Sequence, residues 1–239
     1  MRNPQPKEWA AKDYSQNYIA DYKAFNFVDG EGVRNSLYVS GCLFACEGCF
    51  NKAVQNFRYG TPYTEELEEQ IIADLAHPSV QGLTLLGGEP FLNTAVCLAV
   101  VKRVKETFGN TKDIWSWSGY TFEELLLETE DKLELLASID ILVDGRFELN
   151  QKDLNLQFRG SRNQRIIDVK KSLAQGKAII WEKCHDAEQK FEQIQKNDKE
   201  KIKKCSELGI QLVHMDTKDQ KRFTEKSSKK YLDMILNYL

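Results

Sequence analysis

The chain has 239 residues, 41% of them apolar and 29% charged, with a formal net charge of −3. That is the composition of a globular protein long enough to bury its own core, and it offers no bulk attraction to nucleic acid. No run approaches the ~20 apolar residues that cross a bilayer. The opening MRNPQPKEWAAKDYSQ has neither the basic start nor the apolar stretch of a secretory leader, so a cytoplasmic protein without a membrane partner is expected.

Residues 1–24, polar and broken by Pro4 and Pro6, read as an N-terminal arm that Trp9 and Tyr14 pin to the body. LYVSG (37–41) reads as a buried strand, and 64–77 as a helix capped by Thr64 with acidic residues in its first turn. GLTLLGG (82–88) is a strand bounded by glycines, and 93–109 a helix stopped by Gly109. DIWSWSG (113–119), a helix over 121–138 and IDILVDG (139–145) continue the alternation, with 164–169 and 177–182 as further candidate strands. From residue 182 the character changes: 13 Lys/Arg stand against 11 Asp/Glu to the end. The resulting division is an arm (1–24), a catalytic body (25–183) and a charged, mainly helical extension (184–239).

Alternating strands and helices with short connections predict an α/β fold, a parallel sheet covered by helices. Ligands in such sheets sit at the C-terminal strand ends. SGC, GGEP, SGY and DGRF each fall at such an end.

In a reducing compartment the six cysteines (42, 46, 49, 97, 184, 205) stay free, and clustered ones are metal or redox groups. Cys42, Cys46 and Cys49 form C-x3-C-x2-C within SGCLFACEGCFN. A structural zinc would want a fourth ligand, for which only Cys184–His185 or Cys205 offer themselves. A zinc-stabilised interaction module without catalysis is one reading. A cubane cluster normally takes four thiolates in a different spacing; three from one loop would bind three irons and leave the fourth open to a substrate. In GGEP, Gly87 and Gly88 allow close approach to the backbone, and Glu89 is a carboxylate that can receive an ammonium. An amino acid chelating iron through its amine and carboxylate would suit such a site. His77, His185 and His214 show no metal spacing, and Cys97 reads as packing on a helix face.

C-x3-C-x2-C followed about forty residues later by GGEP resembles the radical S-adenosylmethionine (SAM) enzymes. FVDGEGVRNSLYVSGC (27–42), CEGCFN (46–51), LTLLGGEPF (83–91), WSWSGYTFEEL (115–125), DILVDGRF (140–147) and QFRGSRNQRIIDV (157–169) further resemble the anaerobic ribonucleoside-triphosphate reductase activating proteins. This likeness spans roughly residues 20–182; the 184–239 extension is longer than the family leads one to expect. Gly48 stands where many radical SAM enzymes carry an aromatic residue, with Phe50 after the third cysteine.

The resemblance implies a partial (β/α) barrel of the radical SAM type. It implies one [4Fe–4S] cluster on Cys42, Cys46 and Cys49, with SAM at the fourth iron. Gly87, Gly88 and Glu89 would then hold the methionyl amine, unless that turn merely starts the next helix. Gly48, Cys49 and Phe50 would border the adenosine, with a core position as the alternative for Phe50. Ser118 and Gly119 would reach the ribose or carboxylate. Asp144 and Arg146 would touch SAM or the partner, or else form a turn with a local ion pair. The implied partner is the large subunit of the anaerobic reductase, whose C-terminal glycine loop receives the radical. Asp29, Glu31 and Arg34 would shape that loop's approach, the alternative being a tight turn held by Asp29. Arg159, Arg162 and Arg165 would steer the reductase, or line a solvated loop. The electron would come from a low-potential donor such as a flavodoxin. An activase of another glycyl-radical enzyme, such as pyruvate formate-lyase, is the alternative within the same chemistry.

Overall fold

Four strands run parallel through the middle of a seven-stranded sheet that does not close on itself: β2 (Val33–Val39), β4 (Val80–Gly87), β5 (Asp113–Trp117) and β6 (Ile141–Asp144). This is a computed structural model, and it describes residues 2–184 and Lys203. Apart from Cys184 and Lys203, the expected C-terminal extension lies outside the described residues. The four central strands are those the apolar runs mark in the sequence.

The flanks correct the all-parallel expectation. The sheet order is β3-β1-β2-β4-β5-β6-β7, where β1 is Tyr18–Asn26, β3 Thr61–Pro62 and β7 Arg165–Asp168. β1 runs antiparallel to both β2 and β3, and β7 antiparallel to β6. Connection length explains both reversals. Only residues 27–32 join β1 to β2, enough for a hairpin but not for the crossover a parallel pair requires. Residues 145–164 contain no covering helix, only a short 3₁₀ turn and a Lys152–Ser161 bridge, so the chain returns in the opposite direction. β1 starts at Tyr18, inside the stretch read as an arm, because Ile19 alone of its residues is buried and the segment looks polar. Residues 177–182 make only an Ile167–Ile180 bridge on the edge of β7, with backbone bonds from Trp181 to Ile166 and from Asp168 to Ile179.

One sheet face is covered by helices. Leu37, Val39, Leu83, Leu85, Ile114 and Leu142 pack in one core with Ile71 and Leu75 of α2 (Glu65–Leu75), Val96, Cys97 and Val100 of α3 (Thr94–Phe108), and Leu135 and Leu136 of α5 (Glu130–Ser138). Cys97 is thus a packing residue. Thr64 caps α2 by accepting the N–H of Leu67 (3.3 Å). The helix expected over 121–138 is two: α4 (Phe122–Leu125), opened by a Thr121/Glu124 capping box, and α5. Glu128, between them, turns inward to Lys132. Two further short helices are α1 (Ala11–Tyr14) and α6 (Val169–Gln175). The other sheet face carries a smaller cluster of Trp115, Ile141, Val143, Ile166 and Trp181. Among the described residues no helix is long and apolar enough to cross a membrane.

Candidate functional site

The β2–β4 ladder does not stop at the strand ends. Gly88 N–H donates to the Val39 carbonyl (2.8 Å) and Glu89 N–H to that of Gly41 (2.8 Å), so the GGEP turn is stitched to the residue before Cys42. A Cβ built on Gly88 would run into the Gly41 carbonyl oxygen, and Gly41 itself sits at φ +102°. Gly88 is therefore required by the approach of two backbones, and Gly41 by its positive φ and by the Phe57 ring packed where a Cβ would stand. Gly41 N–H to Val54 O (2.7 Å) and Cys42 N–H to Gln55 O (3.1 Å) close the cysteine loop, and Cys49 N–H turns back to Cys46 O (3.2 Å). Gly48, at φ +74°, lies against Leu149.

Two of the loop thiols are shifted by their surroundings. Burial is the main force pushing the Cys42 thiol up to about 12; Glu89, Cys46 and Cys49 add to the rise, and an N–H of Phe44 opposes it. Burial likewise raises Cys46, against an N–H of Phe147 and the charge of Arg146. Backbone donors and a cation directed at sulfur stabilise thiolates, so this donor set fits a [4Fe–4S] cluster, which deprotonates its ligands. Among the described residues no three of His, Cys, Asp and Glu converge to hold a single ion; thiolates that bind different irons need not share one centre. Cys184, one candidate for a fourth zinc ligand, packs instead beside the Trp115 cluster and accepts an N–H of Arg159 (2.9 Å).

Glu89 is buried, and its carboxylate joins the second strand end to the third. Oε1 accepts the Ser118 hydroxyl (2.9 Å) and Phe91 N–H (3.0 Å); Oε2 accepts Gly119 N–H (2.8 Å). Of its roughly four acceptor positions, one on Oε2 is not used by these three donors. Desolvation pushes this carboxyl from 4.5 up to about 7, despite those three donors. The folded state therefore holds the proton more tightly than the unfolded chain. Stability from this group is fully present below about pH 4.5 and is lost as pH rises through about 7. Glu89→Gln is expected to flatten that part of the pH–stability curve of cluster-free protein, measured by urea unfolding; an unchanged slope would refute the assignment.

Phe44, between the first two cysteines, was not singled out by the sequence, yet it is where the strand ends meet. Its buried ring is 4.9 Å from Tyr120 and 5.2 Å from Trp9, both edge-on, and the Arg146 guanidinium lies 4.7 Å from its centre. A Cβ on Gly119 would strike it. The N-terminal arm reaches the same point, with Arg2 N–H donating to Phe44 O (2.8 Å). Beneath, the buried Lys132 ammonium donates to Trp9 O (2.7 Å), Glu128 (2.9 Å) and the Tyr120 hydroxyl (3.0 Å), which satisfies all three of its N–H groups.

The remaining expected site residues separate into two groups. Asp144, at the β6 end, accepts Phe122 N–H (2.8 Å) and is ion-paired with Arg165, which also reaches Glu123 (2.6 Å). Burial raises the Asp144 carboxyl and Arg165 opposes the rise. Arg146 makes the local ion pair, with Glu124 (2.9 Å). In the late RGSRNQR segment, Asn163 donates to Arg146 O (2.8 Å) and Gln164 to Gly145 O (2.9 Å), so this stretch clasps the DGRF turn. Arg162, 72% exposed, pairs with Asp153 (2.9 Å). Phe50 is 93% exposed rather than a core residue.

Asp29, Glu31 and Arg34 lie around the N-terminal end of β2, whereas the cysteine loop follows its C-terminal end. Arg34 is fully buried: it donates to Thr84 Oγ1 (2.8 Å) and Leu83 O (2.9 Å), pairs with Asp113 (2.5 Å) and lies over Trp115. A guanidinium so enclosed ties β2, β4 and β5 together and does not face a partner. Asp29 accepts from Tyr38 and Asn26, the turn-holding arrangement, and Glu31 pairs with Lys183 (3.1 Å).

Fold and cysteine loop define a single-cluster iron–sulfur domain: a family model described as "4Fe-4S single cluster domain" matches residues 28–167. The anaerobic ribonucleoside-triphosphate reductase-activating protein of Pasteurella multocida is 46% identical over 154 residues, 63% of this chain and 96% of the relative. The protein of that name from Vibrio cholerae is 44% identical over 61% of this chain and 94% of its own length, and that of Enterobacteria phage T4 40% identical over 63% and 92%. The chain belongs to the family of anaerobic ribonucleoside-triphosphate reductase-activating proteins. The family match supports an iron–sulfur cluster as its cofactor.

Proposed function

We infer that this chain is a radical SAM activating enzyme that installs a glycyl radical on the anaerobic ribonucleoside-triphosphate reductase. The observation that carries the reading is that the three-cysteine loop begins where β2 is joined, backbone to backbone, to the GGEP turn. Four parallel strands with those segments at their C-terminal ends support a partial (β/α) barrel of the radical SAM type. When bound on Cys42, Cys46 and Cys49, a [4Fe–4S] cluster supplies the electron that splits SAM into methionine and a 5′-deoxyadenosyl radical.

The chain's own residues bind and orient. The Gly87–Gly88 backbone and the remaining acceptor position of Glu89 take the methionyl ammonium. The ring of Phe50, exposed and beside Cys49, stacks on the adenine, with Gly48 and Cys49 bordering the adenosine. Ser118 and Gly119, pinned through Glu89, border the ribose or carboxylate. Asp144, ion-paired with Arg165 at the fourth strand end, borders the cosubstrate. Holding the cosubstrate in one pose converts the encounter into a near-unimolecular reaction.

The partner is the reductase large subunit through its C-terminal glycine loop, and the electron donor a low-potential protein such as a flavodoxin, both in the cytoplasm. Arg159 and Arg162 remain the candidates for steering that partner. The test is anaerobic incubation of reconstituted protein with SAM, a reductant and the reductase. A glycyl radical on the reductase with matching 5′-deoxyadenosine is expected; radical formation only on a different glycyl-radical enzyme would contradict the assignment.

Body and extension are also taken as separable: the sequence division puts the arm at 1–24 and the body at 25–183, and β1 carries the body back to Tyr18. The relatives match 61–63% of this chain with 92–96% of their own length. Deleting residues 184–239 is expected to leave SAM cleavage within a few-fold of the full chain, read as 5′-deoxyadenosine release; its complete loss would place the extension in the catalytic body.

A further inference from the structure

Arg146 follows β6 and is held from several directions. Glu124 of α4 receives Nη1 at 2.9 Å and Nη2 at 3.0 Å, and the same carboxylate accepts Thr121 N–H (2.8 Å). Nε points to Arg2 O (3.4 Å), and the Arg146 carbonyl is bound by Asn163 (2.8 Å). The guanidinium thus rests 4.7 Å from the centre of the Phe44 ring, in the middle of the first cysteine interval. The two ends of its ion pair are not equally screened. The Glu124 side chain is 38% exposed and that of Arg146 9%. Water damps the carboxylate's field more than the guanidinium's, so the pair presents a net positive field on its buried side, toward Phe44 and the loop.

Resting on the reading of the site given above, we propose that Arg146 is an electrostatic positioning residue for the cluster. Its clamped guanidinium, seated on Phe44, raises the potential at which the cluster accepts an electron, and Glu124 limits that rise. Three thiolates and the bridging sulfides make a cluster of negative charge, and an added electron makes it more so. A fixed cation in a dry setting therefore favours the reduced form. The arrangement also has a mechanical side: the same guanidinium, by covering Phe44, helps to hold the loop between Cys42 and Cys46 in place.

The experiment is a potentiometric titration of the anaerobically reconstituted full chain, with the reduced cluster read by electron paramagnetic resonance and iron and sulfide measured on the same samples. Arg146→Met is expected to lower the midpoint potential at unchanged iron content, and Arg146→Lys to stay closer to the native value. Glu124→Gln, which keeps the cation and removes its counter-charge, is expected to raise it. Where Arg146→Met does not fold or load, Glu124→Gln decides alone: a rise supports the proposal, an unchanged or lower value overturns it. A native cluster with unmoved variants overturns this inference and spares the reading of the site. Native protein without any [4Fe–4S] signal overturns both.

Discussion

Replacing any one of Cys42, Cys46 or Cys49 by alanine is expected to reduce 5′-deoxyadenosine formation to the enzyme-free background. The loss should exceed the roughly 10–100-fold that follows from changing a residue one shell further out. The physical reason is that, among the described residues, no other cysteine stands ready to replace one of the three. Cys97 is buried in the helix-covered core, and Cys184 sits beside the Trp115 cluster under Arg159. Neither stands in the loop that Gly41–Val54 and Cys42–Gln55 bonds close. The three variants are expected to behave alike, because each removes one corner of the same three-point attachment. Chromatographic measurement of 5′-deoxyadenosine after anaerobic reconstitution checks it, and undiminished cleavage by any one variant would remove that cysteine from the ligand set.

Phe44→Ala should be the most damaging single change outside the ligands. Truncating a fully buried phenylalanine costs about 3–5 kcal/mol. Here the ring is the common contact of Trp9, Tyr120, Gly119 and Arg146, so little can move in to fill the space. Urea unfolding of the cluster-free protein measures the loss; a value below about 1 kcal/mol would show that the aromatic box is not what anchors the loop. Phe50→Ala supplies the contrast. With 93% of its surface exposed, Phe50 should leave stability within about 0.5 kcal/mol of native while weakening cosubstrate binding.

Much of this was readable in the chain because the signals are local. β4 is a glycine-bounded apolar run, α2 begins at a capping threonine, and C-x3-C-x2-C and GGEP are contiguous motifs at strand ends. The flanking strands were less legible. β1 buries only Ile19, and the direction of β7 depends on how residues 145–164 fold back rather than on its own sequence. Partners from distant segments decide the rest. Lys132 lies in a charged helical stretch that reads as surface, and it is buried because Trp9, Tyr120 and Glu128 together satisfy its ammonium. Arg34 looks like a recognition residue in DGEGVR but is spent on Thr84, Leu83 and Asp113. Glu89 stands out in the GGEP motif, but its bonds to Ser118 and Gly119 do not, since they cross between two strand ends.

On the proposed function, the loop's three cysteines hold a cluster with one iron left vacant for SAM. Electron paramagnetic resonance of the reduced, anaerobically reconstituted protein, recorded with and without SAM and with iron and zinc determined on the same samples, tests it most directly. A signal from about four irons per chain that changes when SAM binds is the expected result. A single zinc per chain, or a cluster signal indifferent to SAM because a fourth side chain already fills the vacant corner, would contradict it.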